Sequence, residues 1–234
     1  LTASPNPSRR PPGQALVDFW RADHGLSIFL ATLVGLIFVL PPLLGDLDGR
    51  WLPGDVASAV LLVSGVLAMT DGGPLRTVLL SLALLSVAVD LASWLVPVPQ
   101  PLVSGTSLLS LLLLLVVVLF QTLRDGPVTR HRIQGAIAAY LLLGIAWAHA
   151  YALVALLHPG AFSGAVSVGD GPRVFVYFSF VTLTTVGYGD ILPVHPTARS
   201  LAILEAVTGP LYLAILVARL VSLGVSPGSE RPRS

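Results

Sequence analysis

The chain has 234 residues, of which 54% are hydrophobic and only 11% charged, with a formal net charge of +1 and a mean hydropathy of +0.85. A soluble domain needs about a quarter of its residues charged to cover its surface, so most of this surface faces lipid and the expected class is an all-α membrane protein. The near-zero net charge gives no case for nucleic-acid binding, and the lack of cysteine removes disulfides, thiolate metal sites and cysteine nucleophiles together.

Residues 1–23 read as a cytoplasmic N-terminal tail, rich in Pro and Ser at its start and carrying Arg9 and Arg10. A polar stretch with Asp18, Trp20, Arg21 and Asp23 separates those arginines from the first apolar run, unlike a signal peptide, and no cleavage is expected. Spanning helices need about 20 mostly apolar residues. The first is expected over residues 26–44, ended by Pro41, Pro42 and Gly45. A polar turn and the interfacial Trp51 follow. The second, over residues 55–70, is short. After the Asp71–Pro74 turn the third covers residues 75–96 and contains Asp90. Pro97, Pro99 and Pro101 then suggest an extended, hairpin-like connection. The fourth covers residues 102–123, and residues 111–120 have no polar side-chain atom.

Residues 124–132 form a linker with Arg124, Arg130, His131 and Arg132, the most basic internal loop. The fifth span is expected over residues 133–157, with Trp147 and His149 inside it, more in keeping with packing than with a site. A polar, glycine-rich loop leads to residues 173–184, an apolar stretch too short to cross and suited to a re-entrant helix. The last span covers residues 197–223, and the tail at 224–234 is too short to fold into a domain. The expected architecture is therefore six transmembrane helices plus a short re-entrant helix and the loop after it, divided into a four-helix unit at 24–123 and a second unit at 133–223.

Every basic residue is arginine. Placing the N-terminus in the cytoplasm leaves only Arg50, Arg173 and Arg199 outside, which satisfies the positive-inside rule. Both termini are then cytoplasmic, the loop after the fifth span is external, and the plasma (inner) membrane is the expected location.

Between the short helix and the last span lies Thr184-Thr185-Val186-Gly187-Tyr188-Gly189-Asp190. A dehydrated cation needs oxygen ligands, and neutral backbone carbonyls supply them without holding the ion too tightly to leave. For successive carbonyls to face one axis, alternate residues must reach conformations that ordinary L-residues avoid; Gly187 and Gly189 reach them freely. The Thr185 hydroxyl adds an inner ligand, and Val186 and Tyr188 turn their bulk away to brace the loop.

This stretch resembles the selectivity filter of potassium channels, and with its flanks the resemblance extends over about residues 133–223: outer helix, pore helix, filter and inner helix. It implies K+ ions held at Thr185, Val186, Gly187 and Tyr188, with Gly189 completing the filter and no organic cofactor. One filter per chain implies a homotetramer in a lipid bilayer, and the helix count is similar to that of the voltage-gated-like ion channel superfamily. It further implies filter support from Thr184, Asp190 and Tyr177, whose hydroxyl reaches Asp190 in place of the pore-helix glutamate that some relatives have where this chain has Val181. Gly209 aligns with the inner-helix hinge glycine, followed by the helix-bending Pro210; the alternative is that Gly209 only permits close packing. Glu205 either sits behind the filter with a hydrogen-bond partner or faces the cavity and attracts cations. Leu192 stands where an aromatic favours external tetraethylammonium block, so weak block is implied.

The chain departs from voltage-gated relatives in having no arginine or lysine between residues 102 and 123, where gating charges would sit. Asp90 therefore has no cationic partner there and reads as a polar residue near a helix end. His158 and His195 lie near the outer interface, either as external pH sensors or as solvated residues. The expected function is a passive potassium-selective channel, not an enzyme, with no soluble ligand identifiable. The alternatives are a weakly selective cation channel, or a membrane receptor or enzyme with an incidental filter-like loop. The sequence does not disclose the gating stimulus.

Overall fold

The computed structural model describes residues 24–39, 42–43, 65, 74–122, 130–164, 166 and 172–224. In chain order these form α1 (His24–Val34), continued by a π-helical turn (Gly35–Val39), α2 (Pro74–Leu95), α3 (Gln100–Thr122), α4 (Arg130–Leu157), β1 (Phe162–Gly164), α5 (Pro172–Leu183), β2 (Ile191–Pro193) and α6 (Pro196–Gly224). The protein is thus mostly helical. In lipid every backbone polar group must be satisfied within the protein, and a helix does this within one segment. Among the described residues three segments are long and apolar enough to cross a membrane, Gln100–Thr122, Arg132–Leu157 and Pro196–Arg219. By contrast α5 has 12 residues, or about 18 Å at 1.5 Å per residue.

Several boundaries differ from expectation for physical reasons. Helix α4 starts at Arg130 and not at 133, because hydropathy marks where lipid begins, while arginine, a good helix former, extends the helix into the interface. The proline-rich connection is shorter than expected. Helix α3 already begins at Gln100 with Pro101 in its first turn, where a missing N–H breaks no helical bond, and Leu102 N–H bonds the Pro99 carbonyl at 2.9 Å. Helix α5 ends at Leu183, so Thr184 belongs to the turn beyond it. The fold also includes a small antiparallel pair, β1 with β2, in the register Phe162↔Pro193, Ser163↔Leu192 and Gly164↔Ile191.

The expected second span lies outside the described residues except for Gly65, a helical position packed closely against Phe29 and Leu114. Residues 1–23 and 225–234 of the expected tails, most of the 124–132 linker and the side chains of Asp90 and His131 also lie outside them.

Helix α4 is the centre of the arrangement. It packs against α1, α3, α5 and α6, and α3 packs in turn on α2. Its buried alanines, among them Ala138, Ala139, Ala146 and Ala148, let neighbouring helices approach closely, as small residues do where lipid supplies no hydrophobic drive. One apolar cluster joins Phe29, Leu33, Leu114, Val118 and Leu142. A second joins Tyr151, Phe162, Phe175, Phe178 and Ile191, with Tyr151 and Phe178 edge-on at 4.9 Å between ring centroids. The span in α4 is 50% buried and that in α6 only 11%, so α4 is the mast and α6 presents a largely uncovered face.

Candidate functional site

The loop after α5 folds back onto the end of that helix. The last carbonyls of a helix have no partner within it. Here Phe180 O accepts from Thr184 N–H (3.1 Å), Thr182 O from Thr185 N–H (2.9 Å), and Val181 O from both Val186 N–H (2.9 Å) and Gly187 N–H (3.2 Å). The Thr184 hydroxyl adds a bond to Phe180 O at 2.6 Å. Among the described residues no N–H or hydroxyl bonds the carbonyls of Thr185, Val186, Gly187 or Tyr188. The loop therefore turns its amides towards α5 and leaves a run of carbonyl oxygens unengaged.

Its dihedrals alternate. Thr185, Gly187 and Gly189 have φ of 61°, 57° and 80°, while Val186 and Tyr188 between them do not have positive φ. That alternation is what turning successive carbonyls to one side demands. Val186 and Tyr188 are 52% and 72% exposed in a single chain, so the chain alone does not brace them. The Tyr177 hydroxyl lies beside Asp190, bringing α5 next to the far end of the loop.

The far end of the loop is tied down by β1 and β2. Gly164 has φ of 100°, and a Cβ there would lie 1.9 Å from the Asp190 carbonyl oxygen, so only glycine allows this approach. Ala161 O accepts from Val194 N–H (2.8 Å) and His195 N–H (3.1 Å), and Arg199 Nε–H donates to Pro193 O at 3.1 Å. His158 at the end of α4 stacks on His195 ahead of α6, with centroids 4.2 Å apart and planes at 14°.

Behind the loop is a buried polar junction. Glu205 on α6 has no exposed surface. Its Oε2 accepts from the Tyr151 hydroxyl of α4 at 2.5 Å, and its Oε1 lies 2.5 Å from Ser179 Oγ of α5. Ser179 Oγ also lies 2.7 Å from the Gly144 carbonyl of α4. One turn further along α6, a Cβ on Gly209 would lie 2.1 Å from the Leu183 carbonyl oxygen, so α6 meets the end of α5 at a site that admits no side chain. Pro210 lies inside a helix that continues to Gly224. Beyond it the Tyr212 hydroxyl donates to Ala136 O of α4 at 2.7 Å.

Residues 139–225, covering this loop, its helix and both flanking spans, match the sequence profile of an ion channel family. A 57-residue stretch, 23% of this chain, is 50% identical to two-pore potassium channel 4 of Arabidopsis thaliana and covers 20% of that protein. An 84-residue stretch, 36% of this chain, is 34% identical to two pore potassium channel c of Oryza sativa subsp. japonica and covers 17% of it. The similarity is thus to ion channels, and the two curated relatives are potassium channels. The chain spans about a fifth of the length of these curated relatives, and no solved structure matches it significantly.

The fold brings together the residues that the sequence singled out around the Thr184–Asp190 stretch. Thr184 to Asp190 form one loop, Tyr177 reaches Asp190, and Glu205 and Gly209 both lie against α5, with Glu205 turned into the protein interior. His149 bonds the Ile145 carbonyl of its own helix at 2.9 Å. Sequence reasoning missed Ser179, Tyr151, Gly164 and Tyr212. The first two had a signal: a buried glutamate needs hydroxyl donors on facing helices. Gly164 and Tyr212 had none, because their partners are main-chain carbonyls brought near only by the fold.

Proposed function

We propose that this pore domain conducts potassium passively and selectively across the membrane, with four identical subunits around one axis. The observation that supports it is the loop at Thr184–Asp190, with its amides bonded to α5, its carbonyls unengaged and its φ signs alternating. In this reading the carbonyls of Thr185, Val186, Gly187 and Tyr188, with the Thr185 hydroxyl, replace the hydration shell of the transported ion. Gly189 completes the turn, and Thr184, Tyr177 and Asp190 hold the loop in shape. Gly209, Pro210 and Glu205 form the part of the inner helix through which its movement reaches the filter.

One chain offers one set of carbonyls, so a ring requires copies. The exposed Val186 and Tyr188 and the uncovered face of α6 supply surfaces for them. The proposed subunit has six spans, α5 re-entrant, both termini cytoplasmic and the filter mouth external. Because α3 has no arginine or lysine, opening does not use a charged fourth helix. No organic cofactor is required, since dehydration and passage need only the oxygen ligands.

The test is the reversal potential of the purified full chain in a bilayer with potassium on one side and sodium on the other. A potential close to the potassium equilibrium value is expected. A value near zero would indicate a weakly selective cation channel, and no flux at all would point to the receptor or enzyme alternative. Gly187→Ala, which forces a side chain into φ of 57° at about 1–2 kcal/mol, is expected to abolish potassium flux while the oligomer persists.

A further inference from the structure

Three oxygen–oxygen contacts meet at the junction behind the filter: Tyr151 with Glu205 Oε2 at 2.5 Å, Ser179 with Glu205 Oε1 at 2.5 Å, and Ser179 with the Gly144 carbonyl at 2.7 Å. Each needs one hydrogen, because two oxygens this close without one face each other with lone pairs. The Tyr151 and Ser179 hydroxyls supply one each, and the Gly144 carbonyl supplies none. However they are distributed, three contacts need three hydrogens. The third has one place left to come from, the carboxyl of Glu205.

The surroundings agree. Glu205, Ser179 and Tyr151 are each 0% exposed. A buried carboxylate requires a cation or several donors. Among the described residues Glu205 has the two hydroxyls as its bonding partners and no arginine or histidine, and the other ionisable group that feels it is Tyr140 of α4. As a neutral acid, Glu205 donates from Oε1 to Ser179, Ser179 donates to Gly144 O, and Oε2 accepts from Tyr151. Every contact is then filled.

We propose that Glu205 carries a proton in the folded pore and, as a neutral donor and acceptor, positions α5 behind the filter. Ser179 lies one turn before Leu183 on α5, as Glu205 lies one turn before Gly209 on α6, so the two helices meet at two matched levels. The carbonyls that bind the filter amides, Phe180 to Thr182, lie between those levels. If the proton leaves, Ser179 has one hydrogen for two acceptors, and α5 loses its hold on either α4 or α6. The effect on conduction rests on the pore reading; the proton does not.

The full chain in lipid vesicles at neutral pH tests both parts. The infrared spectrum is expected to contain the C=O stretch of a protonated carboxylic acid that is absent from Glu205→Gln. Glutamine offers an N–H to Ser179 and a carbonyl to Tyr151, so its potassium flux is expected within about twofold of wild type. Glu205→Ala leaves the buried Tyr151 hydroxyl without its acceptor and removes the tie from Ser179 to α6, and is expected to lose about tenfold or more. Absence of the band from wild type, or a Glu205→Gln variant as impaired as Glu205→Ala, would overturn the proposal. If wild-type vesicles pass no potassium, the pore reading fails, and the infrared band alone decides whether Glu205 holds its proton.

Discussion

Thr185 is the residue at which the filter departs most from ordinary chain chemistry. A β-branched side chain at φ of 61° is a steric outlier and stores about 1–3 kcal/mol of strain that its surroundings must hold. The sequence assigned positive φ to Gly187 and Gly189 because glycine reaches it freely. It did not disclose Thr185, whose conformation is imposed by the hydrogen bonds that pull Thr185, Val186 and Gly187 amides onto α5. Gly164 was equally hidden, since its constraint is the Asp190 carbonyl, 26 positions away in sequence. Gly164→Ala is expected to lower the melting temperature of the assembled protein, by at least the effect of about 1–2 kcal/mol for a left-handed L-residue, because it also forces the far end of the loop apart. Tyr177→Phe removes the hydroxyl beside Asp190. Faster passage into a non-conducting state under sustained current is expected, and unchanged kinetics would exclude the brace.

At the scale of elements, the sequence was read well wherever a helix is long and apolar, as in α3, α4 and α6. It was read less well where lipid ends but the helix does not, as at Arg130, and where proline starts a helix instead of preventing one, as at Pro101. The β1–β2 pair escaped notice because three residues per strand leave no periodicity to detect. Between elements, α6 is attached to α4 by Tyr212 below the Gly209 contact, a clamp no motif announced. A single hydrogen bond contributes about 0.5–1.5 kcal/mol net. Tyr212→Phe is therefore expected to shift the open–closed equilibrium about 2- to 13-fold, which single-channel open probability measures. The tilted Tyr140 ring, 5.7 Å away, keeps the phenylalanine in place, so the stability change stays small.

For the whole molecule, the contrast between a half-buried α4 and an almost bare α6 fits the proposed assembly, in which other copies cover α6. The expected mass of the purified complex, by native mass spectrometry, is four times that of the chain; a dimer would contradict the one-filter, four-copy arrangement. Composition made the membrane class legible and the Thr184–Asp190 stretch made the likeness to potassium channels legible, but neither discloses how α5 is held from behind, which depends on residues 26 and 54 positions apart meeting at one carboxyl. The bonds under the filter have one further consequence, in the time domain. A water-lined loop ordinarily exchanges its amide hydrogens fast, because it opens at little free energy. Here the amides of Thr184 to Gly187 are bonded to helix carbonyls, so their deuterium uptake is expected to follow the slow course of α5. The segment closest to the moving ions would then rank among the slowest to exchange with the water that surrounds them.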